Sequence, residues 1–324
     1  MKFTSIFHFI FIFSMVNAIA GEKQDYAIYH QQVIEAEKLI GSEKYSDALQ
    51  VYESLFDNYD FVFLREYQIA TQLALFLEDK TKAKKYLRQG ILAGWKLKSI
   101  KRNKYISQLK KEEDWNSIKT EYRVLRHQYE SNLNEELQKQ VKKMFSKDQW
   151  KAIGALFTFS SDAQDRYAEK KFAPHSEKQM AESINIIESY GYPGEKLVGN
   201  YYWMSTILSH HNSISQEYVQ QDTLYLYLKP KLVNALKNGQ ISPFELALID
   251  EWYHCVKNDR ETSMYGILEP PSQSELSKSN ELRAAIYMRP IEVRNQLVDI
   301  EKKTGMDFYL NGGPWIEGKV EIRE

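Results

Sequence analysis

Asp250 and His254 form the pair best spaced for chemistry in this chain. Four residues apart on a helix, they share one face, and a carboxylate holding an imidazole is one way to orient a general base. His210 and His211 offer further imidazoles. Neighbours on a helix point about 100° apart, so one of these two faces inward and the other outward. With Asp148 and Tyr265 added, the set His210, Asp250, His254, Asp148 and Tyr265 would suit a hydrolase-like reaction run by acid and base. The same residues also read as structure. His210 can link buried helices through a hydrogen bond, and Asp250–His254 can be a simple intrahelical pair. A serine nucleophile has no support, because Gly-x-Ser-x-Gly does not occur. No metal and no cofactor are expected either. His-x3-His, paired cysteines and a glycine-rich phosphate loop are all missing from the sequence.

The elements that must position these residues are helices. The 324 residues carry few breakers, 14 Gly and 8 Pro, and 43% of them are hydrophobic. Lys, Glu, Gln, Leu and Ala are plentiful, which favours an all-α fold. Charged residues make up 27% but balance to a net charge of −1, so nucleic acid is not an expected partner. Cys255 is the one cysteine, so no internal disulfide can staple the fold. Its helical surroundings predict a buried, inert thiol.

Residues 1–20 have the layout of a cleavable secretory signal. Lys2 is followed by an apolar centre, Ile6 to Val16, and then by Ala18-Ile19-Ala20. The expectation is an exported protein, periplasmic or secreted, beginning at Gly21 and without a membrane span after cleavage. Residues 25–147 read as a tetratricopeptide-like region with a long connecting helix. Ala48, Tyr52 and Leu55 recur as Ala83, Leu87 and Gly90, 35 positions later. Turns are signalled at Gly41–Lys44 and Glu78–Thr81. The spacing predicts a basic helix over Lys98–Leu109. It also predicts an apolar stripe from Trp115 through Ile118, Leu137 and Val141, broken near Asn132–Asn134, that packs on the hairpins and joins the two halves.

Residues 148–305 read as a second helical domain, and 306–324 as a tail. Ser242-Pro243-Phe244-Glu245 is a strong helix start, with serine as the cap and glutamate completing the box. Gln216–Leu228 and Pro230–Lys237 read as two helices separated at the proline. This half resembles a bacterial domain family of unknown function. The resemblance is carried by Asp148-Gln149, Gly191 with Pro193, Val198-Gly199, His210, Gly239, Asp250 and Tyr265-Gly266. Departures are Tyr192 for a usual tryptophan, Glu251 for arginine, and Ile267-Leu268 for Thr-Gln. The resemblance implies a helical fold behind tetratricopeptide-like hairpins, and no reaction. The sequence therefore favours an exported module that binds a protein or peptide partner in a hairpin groove lined by Tyr26, Tyr29 and Tyr67. The hydrolase-like site is the second reading.

Overall fold

The computed structural model describes residues 24–111, 115–154, 160, 163, 166–258, 264–310, 316 and 318–324. The leader expected at 1–20 lies outside the described residues. The regular elements are helices, and no strand occurs among the described residues, where one parallel bridge joins Ser272 to Arg323.

Two hairpins open the chain: α1 (Tyr26–Gly41) with α2 (Tyr45–Asn58), and α3 (Leu64–Phe76) with α4 (Lys80–Leu92). Their turns repeat the same geometry at the predicted offset. Lys44 N donates to Leu39 O at 2.8 Å, and Asp79 N to Ala74 O at 2.9 Å. Glu43 and Glu78 both take left-handed backbone, with φ of 60° and 61°. A non-glycine residue there costs roughly 1–2 kcal/mol, so its recurrence marks a shared turn design. Ala48 and Ala83 are both 0% exposed. Their small side chains let the paired helices approach closely. At Gly90 a Cβ would lie 2.8 Å from the Trp95 ring, so the missing side chain makes room for that indole.

The predicted helix at Lys98–Leu109 is in fact two short pieces, α5 (Leu97–Arg102) and a 3-10 turn (Ile106–Lys111). Asn103 interrupts it because its Oδ1 accepts from Ile106 N at 2.9 Å and starts the second piece. The stripe then runs along α6 (Trp115–Ser131) and α7 (Glu135–Ile153), split where Asn134 caps α7 through Leu137 N at 3.0 Å. Trp115 and Ile118 enter the core of the hairpins, whereas Leu137, Val141 and Met144 enter a second core. Around that second core stand α8 (Ala173–Tyr190), α9 (Glu195–Val198), α10 (Trp203–His211), α11 (Gln216–Gln221), α12 (Leu224–Lys237) and α13 (Pro243–Lys257).

Two sequence expectations are corrected here. The α12 helix runs through Pro230 rather than starting at it. The carbonyl that loses its donor belongs to Leu226, a residue 51% exposed. The cores interleave along the chain. The second already includes Leu137, and the first takes back Leu297, Ile300, Met306 and Phe308. These last come from α15 (Ile291–Thr304), which follows α14 (Leu276–Ala285), and from the segment after it. The chain thus folds back on α1, and each buried aliphatic side chain there contributes ~1.5–3 kcal/mol. Finally, Tyr26 and Tyr29 line no groove, being 4% and 0% exposed. Tyr26 Oη donates to Phe61 O at 2.8 Å, and Tyr29 Oη accepts from Phe63 N at 3.2 Å. They fix the stretch that leads into α3. Tyr67 is half-buried against Phe56, with ring centroids 4.5 Å apart.

Candidate functional site

A cavity of about 240 Å³ lies at the seam where α1 and the start of α3 meet α9, the start of α13 and the 287–289 loop. Its walls are aromatic and acidic. Helix periodicity on α1 places His30, Val33 and Glu37 along one stripe that faces it. Phe63 leads into α3, whose first turn supplies Arg65 and Glu66. The α9 helix contributes Glu195, and the capping box of α13 contributes Ser242 and Glu245. Tyr202, 51% exposed, stands among the lining residues and marks the rim.

One ion cluster ties the seam together. Glu37 Oε1 lies 2.8 Å from Arg65 Nη1 and 2.6 Å from Arg289 Nη2, while Arg289 Nε donates to Glu37 Oε2 at 2.7 Å. The Glu37 side chain is 1% exposed. Burial opposes its charge, yet Arg289 and Arg65 more than offset that and hold the carboxyl below its ordinary range. Arg65 Nε also donates to Phe308 O at 3.0 Å, and Arg283 Nε to Arg289 O at 2.6 Å, so both arginines are braced from behind.

The other three carboxyls behave in the opposite way. Burial pushes Glu66 up to about 7. It pushes Glu245 up to about 7 as well, although Ser242, Tyr192 and Ser205 donate to it. Glu195 is driven well above its usual range by lost hydration and by neighbouring Glu66 and Glu245, while its Oε1 accepts from Leu64 N at 2.6 Å. Burial lowers the His30 imidazole to about 4, so it is neutral near pH 7. Besides the ion-paired Glu37 Oε1, four polar atoms of the lining residues have no hydrogen-bond partner: the acceptors Glu66 Oε2 and Asn200 Oδ1, the ring nitrogen His30 Nε2 and the donor Arg65 Nη2, with Glu66 and His30 5% and 4% exposed. Buried groups of this kind are normally satisfied, and an orphan facing a cavity is where a ligand atom fits.

None of the five residues singled out from sequence lines this cavity. They form two separate groups, with no hydrogen bond or ion pair between them among the described residues. In the first, His210 Nδ1 lies 2.5 Å from Asp148 Oδ2, with the imidazole 31% exposed and the carboxylate 0%. In the second, Asp250 accepts from Tyr225 Oη at 2.6 Å, Tyr265 Oη at 2.8 Å and Lys229 Nζ at 2.9 Å. His254 Nε2 stands 3.7 Å from the same carboxylate. Burial works against the Asp250 charge, but Lys229 and His254 lower its pKa. Asp250 is therefore a saturated anchor joining α12, α13 and the 265 loop. His211 is the inward-facing neighbour of His210, 1% exposed, with Ser176 Oγ at 3.0 Å from Nδ1 and Asp222 Oδ2 at 3.4 Å from Nε2. These are the groups of a catalytic triad with the two ring nitrogens exchanged, and Ser176 is 1% exposed, as befits a buried structural link.

His210→Ala should lower stability by about 1–3 kcal/mol, because it leaves the buried Asp148 carboxylate with only a 3.3 Å bond from Gln149 Nε2. Urea denaturation would show this, and an unchanged midpoint would contradict it. His210→Gln, which keeps a donor, should lose less.

Sequence reasoning missed the seam residues. One signal was available: Glu37 sits on the stripe Tyr29, Val33, Ala36, Ile40, where a charge is out of place. Glu245 was legible only as a cap. Cys255 is buried at 7% exposure. No described helix is long and apolar enough to cross a membrane. Comparison with protein-family models, curated proteins and solved structures gives no match.

Proposed function

We propose that this chain is an exported protein- or peptide-interaction module whose binding site is the seam cavity, which receives a side chain or chain end of the partner. The observation that carries the reading is the convergence of Glu66, Glu195 and Glu245 with the unpartnered Glu66 Oε2 and His30 Nε2 on one concave site. The hairpins contribute to binding through their inner seam and not through an open groove. Export rests on the leader at 1–20. A photo-crosslinking amino acid placed at Tyr202 should capture a partner from the native envelope, and the same probe at exposed Trp150 should not. Equal capture at both positions would overturn the reading.

A hydrolytic second reading rests on the short Asp148–His210 contact, which orients a half-open imidazole. It requires a turnover that His210→Gln abolishes without changing the melting temperature.

A further inference from the structure

We infer that the occupant of the seam cavity is a cation: an alkyl ammonium or guanidinium chain, such as a lysine or arginine side chain. This rests on the seam cavity being the binding site and goes further by naming the ligand's chemistry.

Charge supplies the first argument. On α1, Glu37 is matched by Arg65 of α3 and Arg289 of the 287–289 loop, leaving one surplus positive charge. Against it stand three further carboxyls, Glu66 on α3, Glu195 on α9 and Glu245 on α13. Fully ionised, the wall is two negative charges in excess. Burial lowers the His30 imidazole to about 4, so it adds no charge near pH 7, and the described lining holds no other Asp, Glu, Lys, Arg or His. Burial raises the pKa of all three, and for Glu195 the neighbouring Glu66 and Glu245 raise it further. A cation in the cavity would replace protons on these three carboxyls.

Shape and partners supply the second. The cavity falls short of the ~300–1,000 Å³ typical of drug-sized sites, which suits a slender chain. Glu66 Oε2, on a residue 5% exposed, is an acceptor with no donor, and His30 Nε2 is likewise unpartnered on a residue 4% exposed. An ammonium or guanidinium brings donors only, which Glu66 Oε2 lacks. Phe63, Phe244 and four tyrosines also line the cavity, and aromatic rings are the side chains that attract a cation without carrying charge.

The test is calorimetric titration of the full chain with Nα-acetyl-lysine amide and Nα-acetyl-arginine amide. Each is paired with a neutral isostere, Nα-acetyl-norleucine amide or Nα-acetyl-citrulline amide. A free diamine, 1,5-diaminopentane, separates a small-molecule amine from a peptide side chain, according to which binds more tightly. The expected result is binding of the cations at least tenfold tighter than of the isosteres. Proton release at pH 7 should appear as a dependence of the heat on buffer ionisation enthalpy. Glu66→Gln combined with Glu245→Gln should weaken the cations at least tenfold while the variant melts no lower than wild type. Isosteres binding as well as cations, or proton uptake, would overturn the cation and leave the cavity as a site. Binding that the double variant does not alter would overturn the cavity itself, as would no binding by any probe.

Discussion

Glu37→Ala should destabilise the protein by about 3–5 kcal/mol, the usual cost of removing one partner from a buried ion cluster. The Glu37 side chain is 1% exposed, and those of Arg65 and Arg289 are 18% and 14% exposed. Without the carboxylate, two guanidiniums face one another across a desolvated gap. The effect should reach beyond α1, because Arg289 is 252 residues away in sequence and holds the C-terminal loop against the first hairpin. A thermal melt should fall by roughly 10 °C. Replacing Glu37, Arg65 and Arg289 together by methionine should recover most of the loss, since the penalty lies in the unpaired charges. A Glu37→Ala melt within a degree of wild type would show that the cluster does not organise the seam.

Glu66→Gln should have the opposite sign and depend on pH. The folded pKa of Glu66 is raised to about 7. Its contribution to stability is therefore fully present below about 4.5, the value of an unfolded glutamate, and is lost as pH rises through about 7. Glutamine has no proton to lose. The variant and wild type should melt alike at pH 4.5, and by pH 8.5 the variant should be more stable by up to ~3 kcal/mol. His30 shifts the other way, lowered to about 4 by burial, but it titrates in both proteins and cancels in the difference. A difference between the two melts that stays constant with pH would show that Glu66 is ordinarily solvated.

The hairpins were legible in the sequence because their rules are local. The 35-residue offset marks the same turn at Glu43 and Glu78, and the polar interruption at Asn132–Asn134 marks a real helix boundary. The capping box at Ser242 formed as the residue types required, with Glu245 N donating to Ser242 Oγ at 3.2 Å. The site was not legible, for a physical reason. Its titratable residues, from His30 to Arg289, are brought together by one face of α1, two helix starts, one short helix and one loop, and no periodicity connects such positions. Asp250 and His254 do share a face, as helical spacing demands. Spacing alone could not show that Tyr225, Tyr265 and Lys229 already saturate the carboxylate. Nor could the alternation of tyrosines on α1 reveal that Tyr26 and Tyr29 would be covered by the 61–63 stretch they hold in place.

The seam cavity as the ligand site is tested most directly by a crystal structure of the protein grown with a captured partner peptide. The account predicts density for one basic side chain of that peptide between Glu66, Glu195 and Glu245. Peptide bound only beside His210, or on the outer faces of α2 and α4 with the cavity unchanged, would contradict it.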